Sequence, residues 1–269
     1  MDVLLLIFTI GLFVWFVIRS LRKRPVFAQA PLNPVSWTLN EAVLAVFSIF
    51  LFLFAAALMI REIFPGMGEV KQGIIGMLYM FVIQTLVCTF ILIKIYQRTG
   101  SLGEALGIKA RRGINEFWAG IFCFFIFLPV VFLSGKFVEL LERLWGVRIP
   151  RQPITELIES VQRPEHLGLL IFMVVVFAPF AEELLFRVFL YGALRRRYGP
   201  RPAMMASALI FSVVHFNRFA LLPIFVLGLV LAYIYEKRQS ILAPAAVHMT
   251  NNGLQFLVFF MLRRSLSLL

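Results

Sequence analysis

The sequence has little charge: Asp, Glu, Lys and Arg make up 15% of its 269 residues, against 61% for the hydrophobic types. A soluble domain is nearer a quarter charged and half apolar, so this shortage excludes an ordinary water-soluble protein. The mean hydropathy of +0.91 agrees. Because a membrane-spanning helix takes about twenty residues, the chain has room for about eight helices and none for a separate soluble domain.

Cysteine and acidic residues are also scarce. Cys88 and Cys123 are the only cysteines, and both lie in apolar runs, which excludes a disulfide framework or a thiolate metal site and predicts packing roles. With 14 acidic residues against 26 Lys and Arg, the net charge is +12. The basic residues are scattered through short loops between apolar segments, a pattern that follows the positive-inside rule and argues against nucleic-acid binding.

Apolar runs long enough to cross a bilayer are what the chain does have, and they predict an all-α polytopic membrane protein of about eight helices. The first run is predicted to be a retained span and not a signal peptide, because its basic residues follow it. A short surface helix is predicted within 98–113 and an amphipathic interfacial segment within 135–165. The predicted spans are Val3–Ile18, Leu39–Ile60, Gly73–Ile95, Phe117–Leu133, Leu167–Leu194, Ala203–Phe216, Phe219–Tyr235 and Ile241–Leu262.

The distribution of basic residues predicts the orientation of these spans. With both termini outside, the inner segments carry 15 of the 26 Lys and Arg and the outer segments carry 10. Arg187, within the fifth span, is the remaining one. This bias favours both termini outside the cytoplasmic membrane.

Polar side chains interrupt three of the late spans, where burying charge in lipid is costly. Counted at about 1.5 Å per residue from the inner ends of their spans, they lie at depths of roughly 10 to 20 Å. They are Glu182, Glu183, Arg187, His215, His248 and Asn252. We therefore predict that they meet in one cytosol-facing cavity within the membrane, nearer its inner face.

Their spacing predicts how they are oriented. Glu183 and Arg187 are four residues apart on one helical face, so they can form an ion pair. Glu182 points about 100° away and stays available for another partner. His248 and Asn252 also share a face, so both can point into the same cavity.

These groups suit hydrolysis of an acyl bond. A free carboxylate and a neutral imidazole can activate water, and a second imidazole and an amide can donate hydrogen bonds to a developing oxyanion. Two histidines and one glutamate would equally form a three-ligand zinc site with an open position for water. Pro179 and Pro244 each precede a polar group, where a proline can kink the helix and open a water-filled pocket.

Other polar residues have simpler interpretations. Asn252 could link two helices, and Asn251 and Asn217 are predicted to do so. His166 is predicted to be a loop residue. The chain has no H-E-x-x-H, G-x-S-x-G or Gly-x-Gly-Asp motif of other intramembrane or serine hydrolases.

The three polar groups are also three motifs in order: E-E-x-x-x-R, F-x-x-x-H and H-x-x-x-N. In this sequence they are Glu182, Glu183 and Arg187, then Phe211 and His215, then His248 and Asn252. This set resembles the CAAX protease and bacteriocin-processing family of membrane proteases, which includes the type II CAAX prenyl endopeptidases. The resemblance covers residues 166–262 as a catalytic membrane core, while residues 1–165 carry no diagnostic motif.

The resemblance implies an eight-helix fold with a cytosol-facing cavity and proteolysis near the C-terminus of a membrane-associated substrate. That substrate would be prenylated (CAAX-type) or a peptide of the bacteriocin-processing kind. The implied roles are water activation by Glu182 and His215, oxyanion binding by His248 and Asn252, and positioning by the Glu183–Arg187 pair.

Whether a metal takes part is left open by these residues. If one does, the implied zinc ligands are Glu182, His215 and His248. The implied partners are membrane lipid and a membrane-associated or lipidated peptide, with no nucleic acid. Two alternatives remain: a proton-coupled transporter that uses Glu182 and the histidines as a relay, and a non-catalytic immunity or scaffold protein.

Overall fold

The structure is a computed structural model, and it describes residues 3–22, 37–63, 69–108, 113–146 and 164–266. Within these ranges the chain forms helices and no strand, which confirms the all-α, multi-pass membrane prediction. The helices are α1 Val3–Leu21, α2 Leu39–Ile63, α3 Glu69–Thr99, α4 Leu102–Ala105, α5 Gly113–Trp145, α6 164–198, α7 Pro200–Val213, α8 Leu221–Arg238 and α9 Leu242–Leu266.

Three stretches within these helices are long and apolar enough to cross a membrane: Ile74–Thr99, Gly113–Trp145 and His166–Tyr198. Ile7–Ser20 and Leu39–Phe52 are shorter apolar helices. The 14 residues of α7 rise only about 21 Å, less than the roughly 30 Å of a hydrocarbon core. The count of eight spans stays a prediction, and α7 does not cross the hydrocarbon alone.

Two predicted boundaries are wrong. The amphipathic segment predicted from residue 135 instead begins as a continuation of α5 to Trp145, and residues 147–163 lie outside the described ranges. Helix α7 ends at Val213, three residues before the predicted end at Phe216. It ends there because Phe216 adopts a left-handed backbone with φ 49°, which an α-helix cannot continue through. By contrast, α4 confirms the predicted short helix within 98–113.

Helix α6 alternates between α- and π-helical turns along its length. Its segments are α-helical Pro164–Ile171, π-helical Phe172–Phe177, α-helical Ala178–Glu183, π-helical Leu184–Tyr191 and α-helical Gly192–Tyr198. Every side chain from Leu184 to Tyr191 is buried. The second half of α6 therefore forms the centre of the protein, with the two glutamates where the α-helical and second π-helical segments join.

Close packing of α5 against α9 depends on one glycine. A Cβ added to Gly120 would lie 2.2 Å from the carbonyl oxygen of Ala243, so only glycine permits this approach of the two helices. The same end of α5 is tied to α8 by a two-bonded ion pair, in which Arg238 donates to Glu116 at 2.6 and 2.8 Å.

The segments predicted to face the cytosol come together at one end of the bundle. Contacts there join α2 to α3, α5 to α8, α6 to α8, and α4 to the loop before α9. These contacts are Arg98–Glu41 at 2.6 Å, Arg238–Glu116 at 2.6 Å, Arg195–Glu236 at 2.6 Å, and the Ile241 N–H to Leu106 carbonyl bond at 2.9 Å.

Candidate active site

The ion pair predicted within α6 is present and fully buried. Arg187 Nε lies 3.0 Å from Glu183 Oε2, and both side chains are 0% exposed. The guanidinium also lies over the ring of Phe211, 4.7 Å from its centroid, and Nη1 donates to Ser207 Oγ at 3.4 Å. A charge in an apolar interior needs this kind of compensation, because leaving one partner alone is costly.

Glu182 faces away from this pair, as its position in the helix predicts. Its Oε2 lies 3.9 Å from His215 Nε2 and 3.8 Å from His248 Nε2. This oxygen is buried and has no hydrogen-bond partner within the described residues. One unpartnered carboxylate oxygen therefore lies between two imidazole nitrogens from α9 and from the turn after α7.

The other ring nitrogen of each histidine fixes its tautomer. His215 Nδ1 lies 2.6 Å from the carbonyl oxygen of Phe211, which only accepts, so Nδ1 carries the proton. His248 Nδ1 lies 3.1 Å from Glu183 Oε1, and the carboxylate paired with Arg187 likewise accepts. In their neutral forms both histidines therefore turn an Nε2 lone pair toward Glu182.

Phe211 forms the apolar wall of this group. Its ring makes edge-to-face contacts with His215 and His248, with centroids 4.7 and 5.7 Å apart. It is 0% exposed. An aromatic wall excludes water from one side and strengthens the electrostatic interactions beside it.

Among the described residues, the group is most exposed at His215. The exposed fractions of the side chains are 31% for His215, 21% for Glu182, 5% for His248 and 0% for Glu183. His215 therefore lies at the exposed edge of the group, and the Glu183–Arg187 pair lies on its buried side.

The part of the chain that carries these residues is similar to a known protein family. Residues 164–254 match the family model described as type II CAAX prenyl endopeptidase Rce1-like. Over these residues, called the Rce1-like domain below, the chain is similar to that family. The match contains all three motifs and runs from 164 to 254, whereas the predicted core runs from 166 to 262.

Three curated bacterial relatives are similar to the chain. It is 31% identical to "UPF0177 protein YxdF" of Lactococcus lactis over 29% of this chain and 42% of that protein. It is 26% identical to "Putative membrane peptidase YdiL" of Bacillus subtilis over 64% of this chain and 67% of that protein. It is 34% identical to "Membrane-embedded CAAX protease MroQ" of Staphylococcus aureus over 41% of this chain and 45% of that protein.

The aligned regions thus span less than half of YxdF and of MroQ. No solved structure gives a significant match.

The asparagines of the Rce1-like domain make contacts that spacing did not predict. Asn252 donates from Nδ2 to the carbonyl oxygen of Val174 on α6 at 3.0 Å, and its Oδ1 accepts from Asn251 at 3.3 Å. Asn252 therefore does link two helices, whereas the described bond of Asn251 goes to its own neighbour.

The helix-linking role predicted for Asn217 is wrong. Its Oδ1 accepts from the backbone N–H groups of Phe219 and Ala220 at 3.1 and 3.2 Å, because the turn before α8 leaves these donors without helical partners. His166, predicted to lie in a loop, is exposed in the first segment of α6.

The donor types of the Rce1-like domain suit zinc, since imidazole nitrogen and carboxylate oxygen are common ligands. Both Nδ1 atoms are also hydrogen-bonded, as metal-binding histidines usually are. Yet within the described residues no three His, Cys, Asp or Glu side chains are grouped closely enough to hold a metal ion. Metal dependence stays a prediction.

Two supporting contacts of the Rce1-like domain were not predicted. The bond between Glu183 and His248 joins residues 65 positions apart, and no local pattern signals it. Ser207 bridges Arg187 and the Phe186 carbonyl. A signal for Ser207 did exist, because it precedes Phe211 and His215 at four-residue intervals and so shares their face.

Proposed function

We propose that this protein is an intramembrane endopeptidase that hydrolyses a peptide bond near the C-terminus of a membrane-associated substrate. The observation that carries the proposal is the buried Oε2 atom of Glu182, which has no hydrogen-bond partner among the described residues and lies between two imidazole nitrogens. The Rce1-like match over residues 164–254 and the peptidase names of two relatives support the same class of activity.

Glu182 and His215 together activate the water. A water molecule has two protons, and Glu182 Oε2 and His215 Nε2, 3.9 Å apart, are two acceptors that one water can bridge. His215 is favoured over His248 for this role because its side chain is 31% exposed, against 5% for His248. Glu182 takes a proton as the water oxygen adds to the scissile carbonyl carbon, and that proton passes to the leaving amine.

His248 lies on the buried side of Glu182 and is held by Glu183 at 3.1 Å. To donate from Nε2 to an oxyanion it must also carry a proton there, so the proposed oxyanion role requires the imidazolium form. The contact with Glu183 fixes the orientation of the ring, so that Nε2 faces Glu182.

We propose a substrate whose apolar part stays in the lipid while its C-terminal segment reaches the His215 side of the site. A prenylated cysteine near the C-terminus meets this description, and so does a short hydrophobic peptide precursor. The proposed location is the cytoplasmic membrane, with the site nearer the cytosolic face.

The decisive experiment is to reconstitute the purified protein in lipid vesicles with two matched C-terminal peptide libraries, one prenylated and one not. Mass spectrometry would then identify the cleaved bond. We expect Glu182→Gln and His215→Ala each to lower kcat at least roughly 100-fold, the usual contribution of a general base. Glu104→Gln, which removes an exposed acid on α4, is the matched control and should keep full activity.

Full activity of Glu182→Gln would overturn the proposal. Activity of the wild-type protein after chelation, with metal content measured on the same sample, would separate the metal-dependent and metal-free forms of the mechanism. No contact in the described residues favours the transporter alternative: Asn217, the nearest polar residue beyond His215, is used by its own turn.

A further inference from the structure

The carbonyl group of Val174 lacks a backbone donor because of the proline five residues later. Val174 lies in the π-helical segment Phe172–Phe177, where each carbonyl accepts from the residue five positions on. The Ala178 N–H follows this pattern and donates to the Met173 carbonyl oxygen, so it is not available to the Val174 carbonyl. The next donor would be residue 179, but Pro179 has no N–H.

Asn252 supplies the missing donor from another helix. Its Nδ2 lies 3.0 Å from the Val174 oxygen. Within a membrane-spanning segment an unsatisfied carbonyl is costly, and neighbouring side chains commonly satisfy those that a proline leaves free. The bond joins α9, four residues past His248, to α6, eight residues before Glu182.

We infer that Asn252 is a positioning residue, whose amide replaces the hydrogen bond that Pro179 removes and so fixes α9 against α6. The bond sets the distance between His248, one turn earlier on α9, and Glu182, two turns later on α6. This inference rests on the proposed function for its effect on activity, but the bond itself has a consequence for stability whatever the protein does.

The alternative role, an oxyanion donor, makes a different prediction about Pro179. A donor to the oxyanion acts in the transition state, so losing it costs roughly 100-fold or more in kcat whatever residue stands at position 179. A donor to Val174 is needed only because residue 179 has no N–H. Restoring that N–H should therefore make Asn252 dispensable.

The test is a double-mutant cycle of Asn252→Ala and Pro179→Ala in the purified, lipid-reconstituted protein, read by thermal unfolding and by kcat and KM. We expect Asn252→Ala to lower the unfolding temperature by several degrees and kcat roughly ten-fold, with little change in KM. In the Pro179→Ala background, where the residue 179 N–H can bond to Val174, the same change should cost less than about two-fold in kcat.

The matched control is Pro129→Ala, which changes a buried helical proline of α5. In that background Asn252→Ala should cost as much as in the wild type. If Asn252→Ala does not fold, Asn252→Leu, which has the same branched four-atom side chain but no donor, takes its place in the cycle.

Equal losses of kcat in both proline backgrounds, with no change in unfolding temperature, would overturn the inference and favour the oxyanion role. If no substrate is cleaved at all, the proposed function fails, but the coupling in unfolding temperature still decides whether Asn252 replaces the missing bond. Additive unfolding shifts would overturn the inference in that case too.

Discussion

Glu183 is the residue at which the buried contacts of the site converge. One of its carboxylate oxygens pairs with Arg187 and the other accepts from His248, and its side chain is fully buried. It therefore links a structural ion pair to a histidine of the site. The ion pair and the histidine contact can be separated by mutation. Removing one charge of a buried ion pair lowers the free energy of unfolding strongly, whereas replacing both charges together costs much less.

We expect the variant Arg187→Met to lose roughly 3–5 kcal/mol of unfolding free energy, because it leaves the Glu183 carboxylate without its cation. Adding Glu183→Gln removes both charges, so the double variant should be more stable than Arg187→Met alone. Thermal unfolding in detergent measures this, at about 2–4 °C per kcal/mol for a protein of this size. The double variant should nevertheless be inactive, because His248 loses its carboxylate.

The exposed pair Arg143–Glu139 on α5 provides the control, since its side chains are 75% and 34% exposed. The same substitutions there should shift unfolding by no more than about 1 kcal/mol in any combination, because exposed pairs contribute little. A double variant at Glu183 and Arg187 that is less stable than both single variants would contradict this account.

Among the helices, α6 departs furthest from what the sequence could reveal. Its apolar run, its two glutamates and the ion pair to Arg187 are visible as composition and spacing. The two π-helical segments are not, because an i to i+5 pattern has no residue signature comparable to a cap or a proline. The early end of α7 at Val213 was missed for a related reason, since hydropathy continues through Phe216 while the backbone turns.

Joint positions in space were predictable from short sequence separation and, between helices, from matched depths in the membrane. The pairing of Glu183 with Arg187 follows from four-residue spacing, and it is confirmed. The meeting of Glu182 with both histidines followed from matched depths along separate helices, and the distances of 3.9 and 3.8 Å agree with it. The Asn252–Val174 bond needed the backbone register of α6, which no spacing rule supplies.

A second contact holds α6 in place, two turns beyond Glu183. Tyr191 donates to Glu236 of α8 at 2.8 Å, and Arg195 donates to the same carboxylate at 2.6 and 2.9 Å. Glu236 is 6% exposed. This group fixes the end of the π-helical segment that carries Arg187, and so fixes the rotation of the glutamates about the helix axis.

We expect Glu236→Gln to lower kcat roughly ten-fold with KM nearly unchanged, because small displacements of catalytic groups have large effects on rate while the substrate contacts remain. Tyr191→Phe should have a smaller effect in the same direction, since it removes one hydrogen bond and leaves both bonds from Arg195. Steady-state kinetics on the reconstituted protein measures both. Glu62→Gln, at an exposed acid near the end of α2, should leave kcat unchanged; an equal loss there would show that the effect is not specific to α6.

At the scale of the whole molecule, the segments that the basic residues predict to face the cytosol lie together. The contacts Arg98–Glu41, Arg238–Glu116 and Arg195–Glu236 lie at one end of the bundle. All three arginines belong to segments that were predicted to face the cytosol. We call this end the basic end, and the positive-inside rule predicts that it faces the cytosol.

This orientation can be tested by cysteine labelling, because the chain has only Cys88 and Cys123 to remove. In a background with both changed to Ala, Arg201→Cys probes the basic end, and Arg143→Cys probes the far end of α5. Arg143 stands 27 residues after Glu116 and therefore about 40 Å further along the helix, enough to lie beyond the hydrocarbon.

In right-side-out membrane vesicles, a membrane-impermeant maleimide should label Arg143→Cys directly and Arg201→Cys only after the membrane is opened. Both positions are exposed in the structure, so unequal labelling reports sidedness and not burial. The Cys-free parent protein controls for background labelling. The reverse pattern would place the basic end outside the cell. It would then contradict the proposal that the site around His215 lies nearer the cytosolic face.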